Sequence, residues 1–268
     1  MTVSATEHYK AGRLREAIEA QSDEVKRHPA DSNLRAFLAE LLLVAGEIDR
    51  ADTHLDAIGK QDMKAALGIA LIRQLVRGEQ ARRQFYTEGR VPAFLDQPSP
   101  QLQLHLEASI RLREKDALGA QRLLEDAEAG RGELPGKCNG AAFEDMRDID
   151  DLTSSFFEVL TSTGKYYWIP MARVELVEFS APERPRDLLW RRAHMVVSGG
   201  PDGEVFLPAI YSAGDGALED SFRLGRATEW VGGEAAPVRG IGQRSFLIGE
   251  DSVPIMDIKT LEFAGSVG

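Results

Sequence analysis

Three residues of this chain recur at one fixed distance. Ala5, Gly12 and Ala17 return as Ala39, Gly46 and Ala51, each 34 residues on, and Leu14 returns as Ile48. A 34-residue period with small residues at these offsets is the mark of the tetratricopeptide (TPR) helix pair. Small residues let two helices approach closely, and the glycine ends the first of them. Pro29, 17 residues after Gly12, stands where the second helix should stop. The matching position in the second unit is Met63, so that unit is degenerate. A shift of 69 carries the set onto Ala108, Lys115 and Ala120, a third unit without the glycine. Residues 65–88 read as an irregular helical element between them.

Apolar spacing near 3.6 supports helices through residue 130, as in Leu34, Phe37, Leu38, Leu41, Leu42 and Ala45. Residues 101–106 alternate with period two, but their neighbours are helical and a helix is expected there as well. From about Phe143 the texture changes. Short β-rich runs are separated by Gly and Pro: Tyr166 to Ile169, Val174 to Phe179, His194 to Val197, Val205 to Leu207, Ser245 to Ile248 and Ile255 to Ile258. One more helix is expected over Asp150 to Gly164, with Leu152, Phe156, Phe157 and Leu160 on one face. The expected fold is therefore multi-domain, α and β. A TPR-like α–α superhelix fills residues 1–135. An α+β domain with a mostly antiparallel, partly open barrel-like sheet fills residues 136–268.

Charge narrows the function classes. The formal net charge is −11, split as −2 over residues 1–140 and −9 over residues 141–268. Phosphate affinity comes from clustered basic side chains, so nucleic acid and anionic membrane surfaces are poor partners. No apolar run approaches 18 residues, so no membrane-spanning helix is expected. The start of the chain lacks a basic stretch followed by an apolar run, so no signal peptide is expected. The single cysteine, Cys138, forbids an intrachain disulfide and is read as a bystander. All of this fits a cytoplasmic protein.

No catalytic, cofactor or metal constellation stands out. The five histidines, His8, His28, His54, His105 and His194, include no i,i+4 pair. The acidic run from Glu144 to Asp151 lacks the central glycine of a calcium loop, and reads as a solvated face that biases the charge of the helix after it. Gly240-Ile-Gly242-Gln-Arg-Ser245 begins like a dinucleotide loop but leads into a β-like run, so it reads as a turn. Trp, Tyr and Arg dominate protein interfaces. The candidate partner-binding residues are Trp190, Arg191, Arg192, Tyr211 and Trp230, with both arginines exposed or paired between domains; Trp168 is assigned to the core. The alternative is an enzyme whose small-molecule site uses His194, Asp187, Arg191, Arg192 and Tyr211.

Seven stretches carry a resemblance to a known family: Phe143–Asp151 (FEDMRDIDD), Gly164–Pro170 (GKYYWIP), Pro185–Arg192 (PRDLLWRR), Val205–Tyr211 (VFLPAIY), Arg223–Arg226, Thr228–Trp230 and Gly240–Arg244 (GIGQR). In order and spacing the chain resembles the ImpE family, also called SciE or TagJ, accessory proteins of bacterial type VI secretion systems. The resemblance implies a non-enzymatic adaptor. Its implied partner is the small subunit of the contractile sheath, TssB, held through a helix near that subunit's N-terminus. It also implies an influence on sheath recycling by the ATPase ClpV. No catalytic residues come with the family.

Overall fold

The computed structural model describes residues 3–212 and 218–264. Three helical hairpins stand where the spacing places them. They are α1 (Ala5–Lys10) with α2 (Leu14–Arg27), α3 (Ser32–Val44) with α4 (Ile48–Gln61), and α6 (Pro100–Arg113) with α7 (Ala117–Ala129). The repeated alanines Ala17, Ala39, Ala51, Ala108 and Ala120 are wholly buried, as close helix packing requires. The stretch expected to be irregular is one continuous helix, α5 (Ala66–Glu88).

The repeat positions Gly12, Gly46 and Lys115 all take left-handed backbone, with φ of +79°, +81° and +64°. A second constraint acts at the first two. Arg226 donates to the Tyr9 and Lys10 carbonyls at the end of α1, at 2.9 and 3.1 Å. Arg223 donates to the Ala45 carbonyl at 2.7 Å and Arg83 to that of Gly46 at 2.8 Å. These guanidinium groups satisfy carbonyls that a helix end leaves unpaired and complement its negative pole. A Cβ on Gly46 would stand 2.9 Å from Arg223 Nη1. Arg223 closes the short helix α8 (Asp220–Arg223), whose Asp220 accepts the Leu14 N–H at the start of α2, 2.8 Å away. One short segment of the later half thus clips two hairpin turns of the first.

Strands begin at Gly136. The largest sheet has eight strands in the order β2 (Ala141–Phe143), β1 (Gly136–Cys138), β13 (Thr260–Phe263), β6 (Val174–Phe179), β7 (Trp190–Val197), β8 (Asp202–Pro208), β4 (Phe156–Leu160) and β5 (Tyr166–Pro170). Every pairing in it is antiparallel. The sheet is open, with β2 and β5 at opposite edges, so the barrel-like closure expected from the sequence does not occur. The β5 edge is instead met by Ala93, which bonds to Tyr166 and Trp168 at 2.9 and 3.1 Å. Smaller sheets pair β9 (Thr228–Gly233) with β10 (Ala236–Gly242), and β3 (Met146–Asp148) with β11 (Ser245–Ile248) and β12 (Asp251–Pro254).

Two further expectations fail. Asp150 to Gly164 is a 3-10 turn at Asp151–Thr153 followed by β4, not a helix. All five β4 residues are buried. Phe156 and Leu160 enter the apolar cluster shared with the helices, while Phe157 and Val159 enter a second cluster beyond the sheet. A short run apolar on both faces has no period to distinguish strand from helix. Ile255–Asp257 is likewise a 3-10 turn rather than a strand.

The hairpin turns are testable. Gly46→Ala meets both the backbone penalty and Arg223, and should destabilise by at least about 1–2 kcal/mol. Lys115→Gly relieves the same backbone region and should be neutral or stabilising. Urea midpoints at constant slope read both.

Candidate functional site

The two halves meet at a buried cluster of charges. Arg82 on α5 grips the Glu158 carboxylate of β4 with two bonds of 3.0 Å and also donates to the Ile210 carbonyl at 3.0 Å. Arg244, between β10 and β11, bonds to Glu158 and to Asp148 at the end of β3. Tyr166 and Tyr86 add hydroxyls to Glu158 at 2.5 and 3.1 Å. Asp150 is held by Arg239 at 2.8 and 2.9 Å. Asp148, Asp150, Glu158, Arg82 and Arg244 are all at most 5% exposed.

Burial alone would raise the Glu158 carboxyl, but Arg82 and Arg244 hold it down to about 2. Asp148 goes the other way, up to about 6, because burial and the nearby Asp150 charge outweigh Arg244. The acidic run was read as a solvated face. The structure corrects that reading: Asp148 and Asp150 lie inside because arginines distant in sequence reach them. Among the described residues, no group of three acidic, His or Cys side chains could hold a metal.

A cleft of about 500 Å³ lies between α3, α4 and α5 on one side and residues 180–192 on the other. Ala36, Ile69 and Leu71 give it an apolar wall, and the facing segment is of mixed charge, with Arg184, Arg186 and Arg192 beside Glu183 and Asp187. Arg186 reaches across to Glu40 of α3. Burial raises the Glu40 carboxyl despite that pairing. Met63 in the α4–α5 turn and Leu67 in the first turn of α5 are 90% and 85% exposed.

The candidate partner-binding residues divide by burial. Trp190 is buried, with Nε1 donating to Glu79 at 3.2 Å. Arg191 is buried rather than exposed or paired: its guanidinium lies 4.6 Å over the Phe179 ring and donates to the Ile255 carbonyl, and burial lowers its pKa to about 10. Tyr211 is buried, donating to Asp148 at 2.6 Å and accepting the Ser245 N–H at 3.1 Å. Arg192, paired with Glu204 at 3.4 Å, and Trp230, edge-on to Tyr211, keep exposed surface. Trp168 is in the core as expected.

The five residues of the enzyme alternative do not form a reactive set. Asp187 caps its own turn by accepting the Glu183 and Arg184 N–H groups, at 2.9 Å each. His194 is exposed and pairs with Asp202 at 2.8 Å. Tyr211 lines a separate cavity of about 390 Å³. The sequence reading missed Arg82, Glu158, Arg239 and Arg244 as a unit. Its one available signal was a lone glutamate inside an otherwise apolar run, Phe156-Phe-Glu158-Val-Leu160.

Glu158→Gln leaves Arg82 and Arg244 short of countercharge and should destabilise by about 3–5 kcal/mol. Because its folded pKa is depressed, Glu158 contributes stability above pH 4.5 that is lost as pH falls toward 2. Urea denaturation across that range should show a flatter acid limb in the variant.

Known proteins share this architecture. A family model described as ImpE protein matches residues 140–262. A crystal structure of a Vibrio parahaemolyticus protein superposes with a TM-score of 0.91 at 27% identity, covering 98% of both chains. The type VI secretion system accessory component TagJ of Pseudomonas aeruginosa is 31% identical over 259 residues, spanning 97% of this chain and 90% of TagJ. With the family model on its later half and a relative along nearly all of its length, the chain belongs to the ImpE family.

Proposed function

We propose that this protein is a cytoplasmic accessory component of a type VI secretion system that acts there by binding a protein partner. The observation that carries the reading is the cleft of about 500 Å³ with an apolar wall facing a charged one. Helix-in-groove recognition needs an apolar stripe on the partner at i, i+3, i+4 and i+7 and polar groups along its edge. The partner is the TssB-like small sheath subunit, which presents a helix near its N-terminus. The hairpins of residues 1–135 act as a TPR-like groove, and residues 136–268 supply the opposing wall. Docking there modulates sheath assembly or ClpV-dependent recycling, the ATPase being reached through the sheath. Relationship to TagJ supports the system, and the shape and charge of the cleft support the mode.

The test is a pull-down against the co-encoded sheath subunits, repeated with the N-terminal helix of the small subunit deleted. Binding should vanish on deletion; binding that survives it, or no binding to any sheath subunit, rejects the reading. Leu67→Asp, beside the cleft residues Gly68 and Ile69, and Arg192→Glu within its lining alter exposed side chains, so each should shift stability by no more than about 0.5 kcal/mol. Together they should weaken capture at least tenfold in a titration of the isolated helix.

A further inference from the structure

Away from the cleft, one histidine and one serine form a bonded pair that the proposed docking does not use. His105, on α6, is 1% exposed. Its Nδ1 lies 3.0 Å from the Leu152 carbonyl oxygen, and its Nε2 lies 2.9 Å from Ser155 Oγ. A carbonyl only accepts, so Nδ1 carries the ring proton. Nε2 then offers a lone pair, and the Ser155 hydroxyl donates to it. A nucleophile, a base within hydrogen-bond reach and a third group orienting the base are the signature of an activated serine. Burial lowers the imidazole to about 4, so it is neutral across the physiological range, with the Nε2 lone pair free to accept the Ser155 hydrogen bond; it is a weak base that would hold the serine proton only transiently.

The third group is itself held in place. The Leu152 carbonyl belongs to the 3-10 turn at Asp151–Thr153, and the Leu152 N–H donates to Asp150 at 2.9 Å. Asp150 is locked by Arg239. Ser155 is half-buried and lines a cavity of about 450 Å³, within the usual range for a small-molecule site. Phe94, Leu102, Met146, Trp168 and Met171 make its wall mainly apolar.

We propose that Ser155 is an acyl-accepting nucleophile, with His105 as its base, and that the cavity beside it takes neutral esters with an apolar acyl chain. Ser155 Oγ bonds to the ester carbonyl carbon as its proton passes to His105 Nε2. The bond to the leaving alcohol then breaks, and the departing oxygen takes that proton. Water repeats the exchange on the acyl-serine, releasing the carboxylic acid and restoring the hydroxyl. The apolar part of the wall selects for the acyl chain.

An alkyl fluorophosphonate tests this on the full chain. The Ser155 oxygen displaces fluoride from phosphorus, and the covalent adduct is read by intact mass and peptide mapping. The expected result is one adduct on Ser155, none on Ser155→Ala, and labelling slowed by about 100-fold or more in His105→Gln, the usual size of a general-base contribution. Because His105 is buried, circular dichroism checks that variant. If it does not fold, the wild-type labelling rate against pH replaces it and should fall as His105 protonates near pH 4. No adduct on the wild-type chain, an adduct elsewhere, or unchanged labelling in a folded His105→Gln or through that pH range overturns the proposal.

Discussion

Glu158 accepts five hydrogen bonds from four side chains, and most of the architecture converges on them. A carboxylate removed from water costs several kcal/mol unless its lone pairs are satisfied and its charge is met. Here the donors come from α5, from β5 and from the β10–β11 corner. Losing any one element leaves a buried charge short of partners, so helices and sheet are held in a single relative placement. Apolar packing surrounds the ions: Trp168 stacks on Phe156 at 4.0 Å, and its Nε1 donates to Tyr166 at 2.7 Å. The hydrophobic contact supplies non-directional attraction, and the charges supply the direction.

The same logic operates at lower density along the helical hairpins. Arginines of α8, of the residues after it and of α5 cap the carbonyl ends of α1 and α3, and Asp220 caps the amide end of α2. The hairpins therefore do not stack only on one another. Charged groups from a segment more than 170 residues away hold their turns, with Arg223 and Ala45 178 apart. At the cleft, Arg186 with Glu40 ties the two walls together.

Much of the helical half was legible in the sequence. The 34-residue recurrence, the glycines and the alanines report short-range geometry: a left-handed residue at a turn and a small residue where two helices touch. Lys115 takes the same backbone region as Gly12 and Gly46, so the third unit was rightly aligned although its glycine is missing. Most of the early strands from Tyr166 onward were legible through their β-branched and aromatic runs. Phe156–Leu160 was not, because burial on both faces erases the alternation that identifies a strand. The candidate anchors were chosen by residue type, which is blind to burial; Trp190, Arg191 and Tyr211 turned inward while Arg192 and Trp230 stayed out.

The sequence by itself determined the helical hairpins, where they turn, the change to strand-rich texture from about Phe143, and, through resemblance, the family. Each of these is written in neighbouring residues or in the order of short motifs. Only the tertiary structure decided that the sheet stays open, which carboxylates meet which guanidinium groups, and where the cleft lies. Arg82 and Glu158 are 76 residues apart, and Asp148 and Arg244 are 96. A charge in a sequence looks the same whether it will face water or an opposite charge. The difference is set by desolvation, and desolvation exists only once the chain has closed around the pair.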